Sequence, residues 1–213
     1  MIECMTFSTA NEFGDALVDY HRMRYRLFIE REGWDIPHFD NLEYDQFDTP
    51  ATVYLIKRRP ETGEVMGGMR LIPTTQPYLA EHVWPNIIQT RPIPKDPKVW
   101  EGTRMSAAPE LSTEERRQTL GEIGVAFVEF LLGVGADRVI FEMPPKLLEF
   151  QSSANPEFIE KLGEPITLED GTLLVGGWVH LSDKTLAAYR AGSGIEGNIV
   201  AYPKARIPYR KAA

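Results

Sequence analysis

Three carboxylates lie close together in the segment NLEYDQFDTP, which spans residues 41–50. Glu43, Asp45 and Asp48 stand there beside aromatic residues rather than in the mixture of Lys and Glu that covers a solvated helix. Carboxylates in an apolar setting need cationic partners, which arginine side chains or a ligand can supply. The alternative is a surface turn that Asp48 begins, with the other two carboxylates in solvent.

Arg24 interrupts the apolar stripe of a predicted helix. It lies four residues after Tyr20 and four before Phe28, where a leucine is expected. Either its guanidinium binds a buried anion, or its stem packs while the charged end reaches the surface. The first possibility links Arg24 to the carboxylates of residues 41–50.

The segment VWEGTRM also carries charges among residues that are typical of a core. Glu101 and Arg104 point to opposite faces of a regular strand, but a bulge at Gly102 could turn both to one side. Arg70 in GGMRLIP has apolar or glycine neighbours and also needs a carboxylate. Together these charged residues predict a polar cleft inside an otherwise apolar fold.

The elements that position these residues alternate between strands and helices, without an internal repeat or a long linker. Periodicity and turn residues predict the strands MIECMTFS, TVYLIKR (52–58), EVMGGMRLIP (64–73), KVWEGTRMSA, DRVIFEM and TLLVGGWVHLS. Helices are predicted at about 10–31, after a capping box of Ser112 and Glu115, at 145–151, at 156–162 and in DKTLAAYRAG, before an irregular tail. This order predicts a three-layer α/β fold with a mixed sheet.

Length and composition exclude several classes of protein. The 213 residues, 43% of them hydrophobic, suit one well-filled core, so residues 1–213 are predicted to form a single domain. The net charge of −8 gives no basic field for nucleic acid. No apolar stretch is long enough for a membrane span, and the start of the chain lacks the order of a signal peptide, so a cytoplasmic location is expected. One cysteine and four scattered histidines make a metal site improbable.

Nine residues together resemble the signature of the acyl-homoserine lactone synthases, the LuxI-type autoinducer synthases. Their spacing covers about residues 20 to 105, and the chain length also fits this family. Each position alone is a weak signal, and the specificity lies in the set. The residues that carry the resemblance are Arg24, Phe28, Trp34, Glu43, Asp45, Asp48, Arg70, Glu101 and Arg104.

The resemblance implies a GNAT-like three-layer α-β-α sandwich with a mixed, mostly antiparallel central sheet. It also implies a reaction between S-adenosylmethionine (SAM) and an acyl thioester, which makes a quorum-sensing signal. The SAM amine is acylated, and the SAM carboxylate then attacks the γ-carbon, closing the lactone and expelling methylthioadenosine. SAM is therefore expected as a substrate, and neither a cofactor nor a metal is expected.

Roles for single residues follow from the same resemblance. Glu101 is the candidate base for the SAM ammonium, directly or through water. Arg24 and Arg104 would hold the SAM carboxylate or brace the acidic residues, while Phe28 and Trp34 would wall the SAM pocket. For Trp34 the alternative is an ordinary core tryptophan. The remaining residues expected in the catalytic cleft are Glu43, Asp45, Asp48 and Arg70.

An acyl pocket is expected between the sheet and the helix at about 113–134. Its candidate lining residues are Met105, Phe127, Met143, Leu147 and Trp178, although each of them could also be ordinary core packing.

Two other functions stay open. An ordinary GNAT acetyltransferase binds the pyrophosphate of acetyl-CoA with a glycine-containing loop at a helix N-terminus, and the matching connection SAAPELSTEERRQ lacks that loop. This favours an acyl donor held by its pantetheine arm, as in acyl carrier protein (ACP), although some members of the family accept acyl-CoA. The second alternative is a SAM-binding sensor without catalysis.

Overall fold

The computed structural model describes residues 1–154 and 156–204, and a nine-stranded mixed sheet forms its centre. The strands are β1 (Ile2–Met5), β2 (His38–Phe39), β3 (Leu42–Glu43), β4 (Val53–Arg58), β5 (Val65–Pro73), β6 (Val99–Ala107), β7 (Arg138–Met143), β8 (Ile159–Lys161), β9 (Ile166–Thr167), β10 (Leu173–His180) and β11 (Val200–Ala201). The helices are α1 (Ala16–Arg24), α2 (Leu79–His82), α3 (Thr113–Val134), α4 (Pro145–Ala154) and α5 (Asp183–Ser193).

The sheet order is β11-β1-β4-β5-β6-β7-β10-β8, with β9 also paired to β10. Strands β1 and β11 run parallel, as do β6 and β7, and the other neighbours in the described part of the chain run antiparallel. Strands β2 and β3 form a separate hairpin. Helix α3 covers one face of the sheet together with α5, and α1 covers the other. The predicted three-layer arrangement and the mostly antiparallel sheet are confirmed.

Helix α3 begins and ends where its sequence predicts. The Ser112 hydroxyl accepts the backbone N–H of Glu115, and the Glu115 carboxylate accepts the backbone N–H of Ser112. Gly135 closes the helix in the left-handed conformation, with φ of 81°. The apolar side of α3, with Ile123 and Phe127, packs on the sheet in the main core.

The helix predicted at 10–31 is divided in the structure. A short 3₁₀ turn, Ala10–Phe13, ends at Gly14, whose φ of 61° suits glycine. Helix α1 then continues into wider π-helical turns over Tyr25–Arg31. Such turns are frequent at functional sites, and here they contain Phe28, which is predicted to wall the SAM pocket.

The prediction of a helix at 156–162 is wrong, because β8 lies in that segment and pairs with Gly177–Val179 of β10. Without β8, the backbone N–H and C=O groups on that side of β10 would lack partners. The tail predicted as irregular contains β11, which pairs parallel to β1, and residues 205–213 of that tail lie outside the described residues. Among the described residues, none of the helices is long and apolar enough to cross a membrane.

Strands β6 and β7 separate soon after they meet. They pair only where Val99–Glu101 faces Arg138–Ile140, although β6 runs on to Ala107 and β7 to Met143. Past this point the two strands leave an opening through the sheet. This opening connects the α1 face with the α3 face.

Candidate active site

A bulge in β6 turns Arg104 toward the α1 face. Arg70 pairs with Thr103 and Gly68 with Ser106, so Arg104 and Met105 together oppose the single residue Met69. Arg104 takes a φ of 56°, which is unusual for a residue with a side chain. Its carbonyl accepts hydrogen bonds from the hydroxyls of Tyr20 and Ser106. The predicted bulge exists, but it lies at Arg104 rather than at Gly102.

Gly102 has a different role at the opening between β6 and β7. A Cβ atom on this residue would lie 2.4 Å from Met69 Cε and 2.6 Å from Phe141 Cε1. Both distances are shorter than a Cβ atom allows, so a side chain here would have to displace the end of Met69 and the Phe141 ring.

Arg24 is fully buried on α1 and paired with two carboxylates. Its Nε donates to Glu43, while Nη1 and Nη2 donate to the two oxygens of Asp48 at 3.0 Å each. Burial alone would lower the pKa of Arg24, but Asp48 and Glu43 raise it well above its usual value. The alternative in which the guanidinium reaches the surface is wrong.

Arg70 on β5 is the second fully buried arginine of this cluster. It binds Asp45 through Nη1 at 2.5 Å and Nη2 at 3.1 Å, and its Nη1 also lies 3.0 Å from Asp48. Its Nε donates to the hydroxyl of Thr103 at 2.9 Å. A bidentate pair of this kind fixes the orientation of the carboxylate.

Arg104 completes the network and is the arginine of the three that lines the cavity described below. Its Nη2 donates to Glu43 at 3.0 Å and to Asp45 at 3.1 Å. Its guanidinium carbon lies 5.5 Å from the centre of the Phe28 ring.

The acidic residues of 41–50 therefore face inward, and the alternative of a surface turn is wrong for their side chains. Burial would raise the pKa values of Glu43 and Asp48, but the adjacent arginines hold both below the usual range. Asp48 also accepts the Tyr54 hydroxyl at 2.8 Å and the backbone N–H of Asp45 at 2.9 Å. Three arginines balance three carboxylates, so this cluster has little residual negative charge to offer a cation.

Glu101 lies apart from the arginine network. Its carboxylate is fully buried and accepts the backbone N–H groups of Leu79 at 2.9 Å and Ala80 at 2.7 Å, at the start of α2. Burial raises the pKa of Glu101, and the two amide hydrogen bonds oppose that shift. A raised pKa suits a carboxylate that must accept a proton near neutral pH.

A cavity of about 620 Å³ passes through the opening between β6 and β7. At one end Trp34 stacks on Phe28, with ring centres 4.7 Å apart and planes 14° apart. The other residues at this end are Leu79, Trp84, Thr103, Arg104 and Glu142. Trp34 is 48% exposed, so it is a wall of the cavity rather than a core tryptophan.

The other end of the cavity is apolar and lies between α3, α5 and the sheet. Of the five residues predicted for the acyl pocket, four line it: Met105, Phe127, Met143 and Leu147. Its further lining residues include Leu120, Gly121, Gly124, Phe141, Ala188 and Tyr189. A second depression, of about 690 Å³ along α5, contains none of the predicted site residues.

Trp178 is not among the described residues that line the cavity, unlike the other four residues predicted for the acyl pocket. On β10 it pairs with Ile140, and both side chains belong to a core on the face of the sheet opposite α3. Its neighbour Gly177 pairs with Phe141, the residue that does line the cavity. The alternation of side chains along a strand explains the difference.

Arg24, Arg70, Glu43, Asp45, Asp48 and Glu101 are likewise not among the cavity-lining residues of the described chain. For Arg24, this geometry supports the bracing of acidic residues over direct contact with a ligand. Sequence reasoning missed Glu142, which lines the cavity. Its signal was present, since Glu142 interrupts the apolar strand VIFEM as Glu101 interrupts VWEGTRM.

Comparison with known proteins connects this geometry to a family. Residues 10–146 match the autoinducer synthase family. An acyl-homoserine-lactone synthase of Acinetobacter nosocomialis is 37% identical over 98 residues, which are 46% of this chain and 53% of that protein. Another from Pseudomonas aeruginosa is 29% identical over 82% of this chain and 84% of its own length. The chain spans about half the length of the first curated relatives it matches.

A solved structure agrees over nearly the whole chain. BjaI, described as a CoA-dependent acyl-homoserine lactone synthase with SAM and isopentyl-CoA, has 27% sequence identity and a TM-score of 0.85. The match covers 97% of this chain and 95% of BjaI. The GNAT-like fold implied by the sequence is therefore confirmed, and because the family match extends over more than half of its residues, the chain belongs to the autoinducer synthase family.

Proposed function

We propose that this chain is an acyl-homoserine lactone synthase, which acylates the amine of SAM from a thioester and then closes the lactone. The observation that carries this proposal is the continuous cavity through the sheet. One end is aromatic and charged, and the other is apolar. A reaction that joins a polar cationic substrate to an acyl chain requires both environments to meet at one point.

The end with Phe28, Trp34 and Arg104 suits SAM. Aromatic faces attract the sulfonium cation and can stack on adenine. Arg104 lines the cavity and presents a guanidinium for the SAM carboxylate, while Glu43 and Asp45 hold that guanidinium in place. Arg24 and Arg70 act behind them, because they fix the acidic residues that orient Arg104.

The end with Met105, Phe127 and Phe141 suits an acyl chain. BjaI is described with isopentyl-CoA, and acyl-CoA or acyl-ACP is proposed as the donor here. Beyond Glu101, β6 has no pairing with β7, so its backbone groups can bond the amides of a pantetheine arm as an added strand would.

The proposed chemistry begins with loss of a proton from the SAM ammonium, since only the free amine attacks a carbonyl. The nitrogen then attacks the thioester carbonyl and the thiol leaves. The SAM carboxylate next attacks the γ-carbon, and methylthioadenosine leaves as the sulfonium takes the bonding electrons. Glu101 is proposed as the final acceptor of the amine proton.

Purified protein incubated with SAM and either acyl-CoA or acyl-ACP tests this proposal. We expect methylthioadenosine and an acyl-homoserine lactone in equal amounts, measured by mass spectrometry. Transfer of an acetyl group to another amine without methylthioadenosine would instead indicate an ordinary acetyltransferase. SAM binding without any product from either donor would indicate a sensor and contradict the proposal.

A further inference from the structure

Glu142 stands between the cavity and Glu101. It lines the cavity from β7, whereas Glu101 lies behind it on β6, with both carboxylate oxygens bonded to amides of α2. Glu101 pairs with Ile140 across β6 and β7, and Glu142 follows two residues later on the same face of the sheet, which brings the two carboxyl groups close together. Glu101 therefore has no direct route to a ligand in this geometry, and Glu142 offers one.

The surroundings of the two carboxyl groups favour a pair that holds one proton between them. Oε1 of Glu142 is buried and has no hydrogen-bond donor among the described residues. Two carboxylates in contact cannot both stay ionised, and one of them keeps a proton that it donates to the other. Glu101 is the ionised member, because two backbone N–H groups stabilise its charge. Burial and the neighbouring Glu101 raise the pKa of Glu142 well above its usual value.

Other groups act on the pair from the surrounding elements. The Arg70 guanidinium on β5 favours ionisation of both carboxyls. The Tyr78 hydroxyl, next to α2, stays protonated, since burial raises its pKa and Glu81, Glu101 and Glu142 raise it further. Arg70 is already paired with Asp45 and Asp48, so it offers little compensation for two further negative charges, which favours a pair that carries one.

We propose that Glu142 is a catalytic residue that passes the amine proton of SAM to Glu101. The proposal rests on the proposed function, because it names the group through which the base of that reaction acts. One oxygen of Glu142 takes a proton from the SAM nitrogen as the other oxygen gives its own proton to Glu101. An N–H bond and an O–H bond break, two O–H bonds form, and the free amine is left to attack the thioester.

The variant Glu142→Gln tests the relay, because glutamine keeps the size and neutral charge of the protonated acid but cannot pass the proton in this way. We expect turnover to fall roughly 10²-fold or more, the scale of lost acid–base catalysis, while SAM affinity measured by calorimetry stays close to wild type. The turnover of Glu101→Gln should fall by a similar factor. The double variant should be no slower than either single one, because residues that act as a unit are not additive.

Chemical rescue separates a catalytic from a structural role. Glu142→Ala should lose turnover and regain part of it as formate is added, because formate can occupy the vacated space and carry the proton. Glu149→Ala, an exposed carboxylate on α4, is the matched control, and formate should leave its activity unchanged. Near-native turnover in Glu142→Gln, or no rescue of Glu142→Ala, would overturn the relay.

Infrared spectra of the wild-type protein test the shared proton without any assay. We expect the carbonyl band of a protonated carboxyl group at neutral pH, and its loss in Glu142→Gln. Absence of that band would overturn the inference even if the variants fail to fold. If wild-type protein makes no lactone from any donor, the proposed function fails, whereas an active wild type with an active Glu142→Gln variant overturns the relay alone.

Discussion

Arg24 shows how a single charged residue can organise a candidate site from outside its cavity. All three of its nitrogens donate to Glu43 or Asp48, and the side chain is fully buried outside the cavity lining. Glu43 in turn bonds Arg104, which lines the cavity. The contribution of Arg24 to SAM binding should therefore be indirect, through the position of Arg104.

Arg24→Met tests this view. Methionine matches the buried stem of Arg24, but Glu43 and Asp48 lose their cationic partner in a buried site. We therefore expect the free energy of unfolding to fall by about 3–5 kcal/mol. Urea denaturation measures the change. Arg22→Met in the same helix is the control, because Arg22 is exposed and, among the described residues, pairs with Asp19. This variant should change the free energy of unfolding by less than about 0.5 kcal/mol. Equal effects would contradict the buried network.

Asp45 and Asp48 should differ in what they support. Asp48 is bonded to Arg24, Arg70 and Tyr54, so Asp48→Asn should destabilise the fold by about 3–5 kcal/mol. Asp45 pairs with buried Arg70 and also holds Arg104, which lines the cavity, so Asp45→Asn should cost a similar amount of stability and in addition lower turnover by roughly 10-fold or more through misplaced substrate.

Thermal melting and product assays on both variants test this division. Exposed Glu114→Gln is the control and should change neither property. If Asp48→Asn melts like wild type, the pairing described above is incorrect.

For single residues, the sequence predicted which charged side chains are buried, because a charged residue that interrupts a regular pattern of apolar residues is easy to recognise. It could not predict how they pair. Arg24 and Glu43 are 19 residues apart, and Arg104 and Glu43 are 61 apart. Such pairings depend on which strands and helices become neighbours, which the local sequence does not determine.

At the scale of elements, the opening between β6 and β7 depends on Gly102. An alanine there would press on Met69 and Phe141, and overpacking of this kind typically costs about 1–3 kcal/mol. Because Phe141 lines the cavity, we expect Gly102→Ala to lower kcat/KM for long acyl donors by roughly 10-fold. The melting temperature of this variant should also fall.

Gly133→Ala provides the control for this prediction. Gly133 lies in α3, and the nearest atom to an added Cβ would be the Tyr202 hydroxyl oxygen at 3.7 Å. Alanine favours a helix over glycine by about 0.5–1 kcal/mol, so this variant should melt higher and keep its activity. A Gly102→Ala variant with native activity would show that the opening tolerates the added methyl group.

Helix α3 was predicted correctly, whereas β8 was not. The capping box and stripe of α3 are local features, so its start and face follow from the sequence. Strand β8 was predicted as a helix, since its three residues owe their conformation to pairing with β10. The bulge at Arg104 depends on hydrogen bonds from two other residues. Tyr20 lies on α1, far away in the sequence, and Ser106 follows the bulge on β6.

At the scale of the molecule, the sheet separates two environments and its opening joins them. Charged pairs and aromatic walls lie on the α1 face, and the apolar end of the cavity lies under α3 and α5. The sequence placed Trp178 at the apolar end of the cavity, but it packs in a core on the opposite face of the sheet, because the face of a strand residue depends on register. That residues 1–213 form one domain stays a prediction.

The same division of charges gives a testable pH dependence of stability. The pKa values of Glu43 and Asp48 are lowered in the folded protein, so their contribution is complete above the usual range of about 4 and is lost as the pH falls below it. The pKa values of Glu101 and Glu142 are raised, so the folded state binds protons more readily, and their contribution grows as the pH falls from neutral.

Melting temperatures should therefore pass through a maximum at mildly acidic pH and fall steeply below about pH 4, when measured at constant ionic strength. Asp48→Asn removes a carboxylate with a lowered pKa, so its melting temperature should fall less steeply at acidic pH than that of wild type. Glu142→Gln removes an acid with a raised pKa, so its stability should decline less between mildly acidic and neutral pH. Glu149→Gln, at an exposed position, should follow the wild-type curve. A wild-type curve that rises steadily from acid to neutral pH would contradict the buried carboxyl pair, since only groups with lowered pKa values would then be linked to folding.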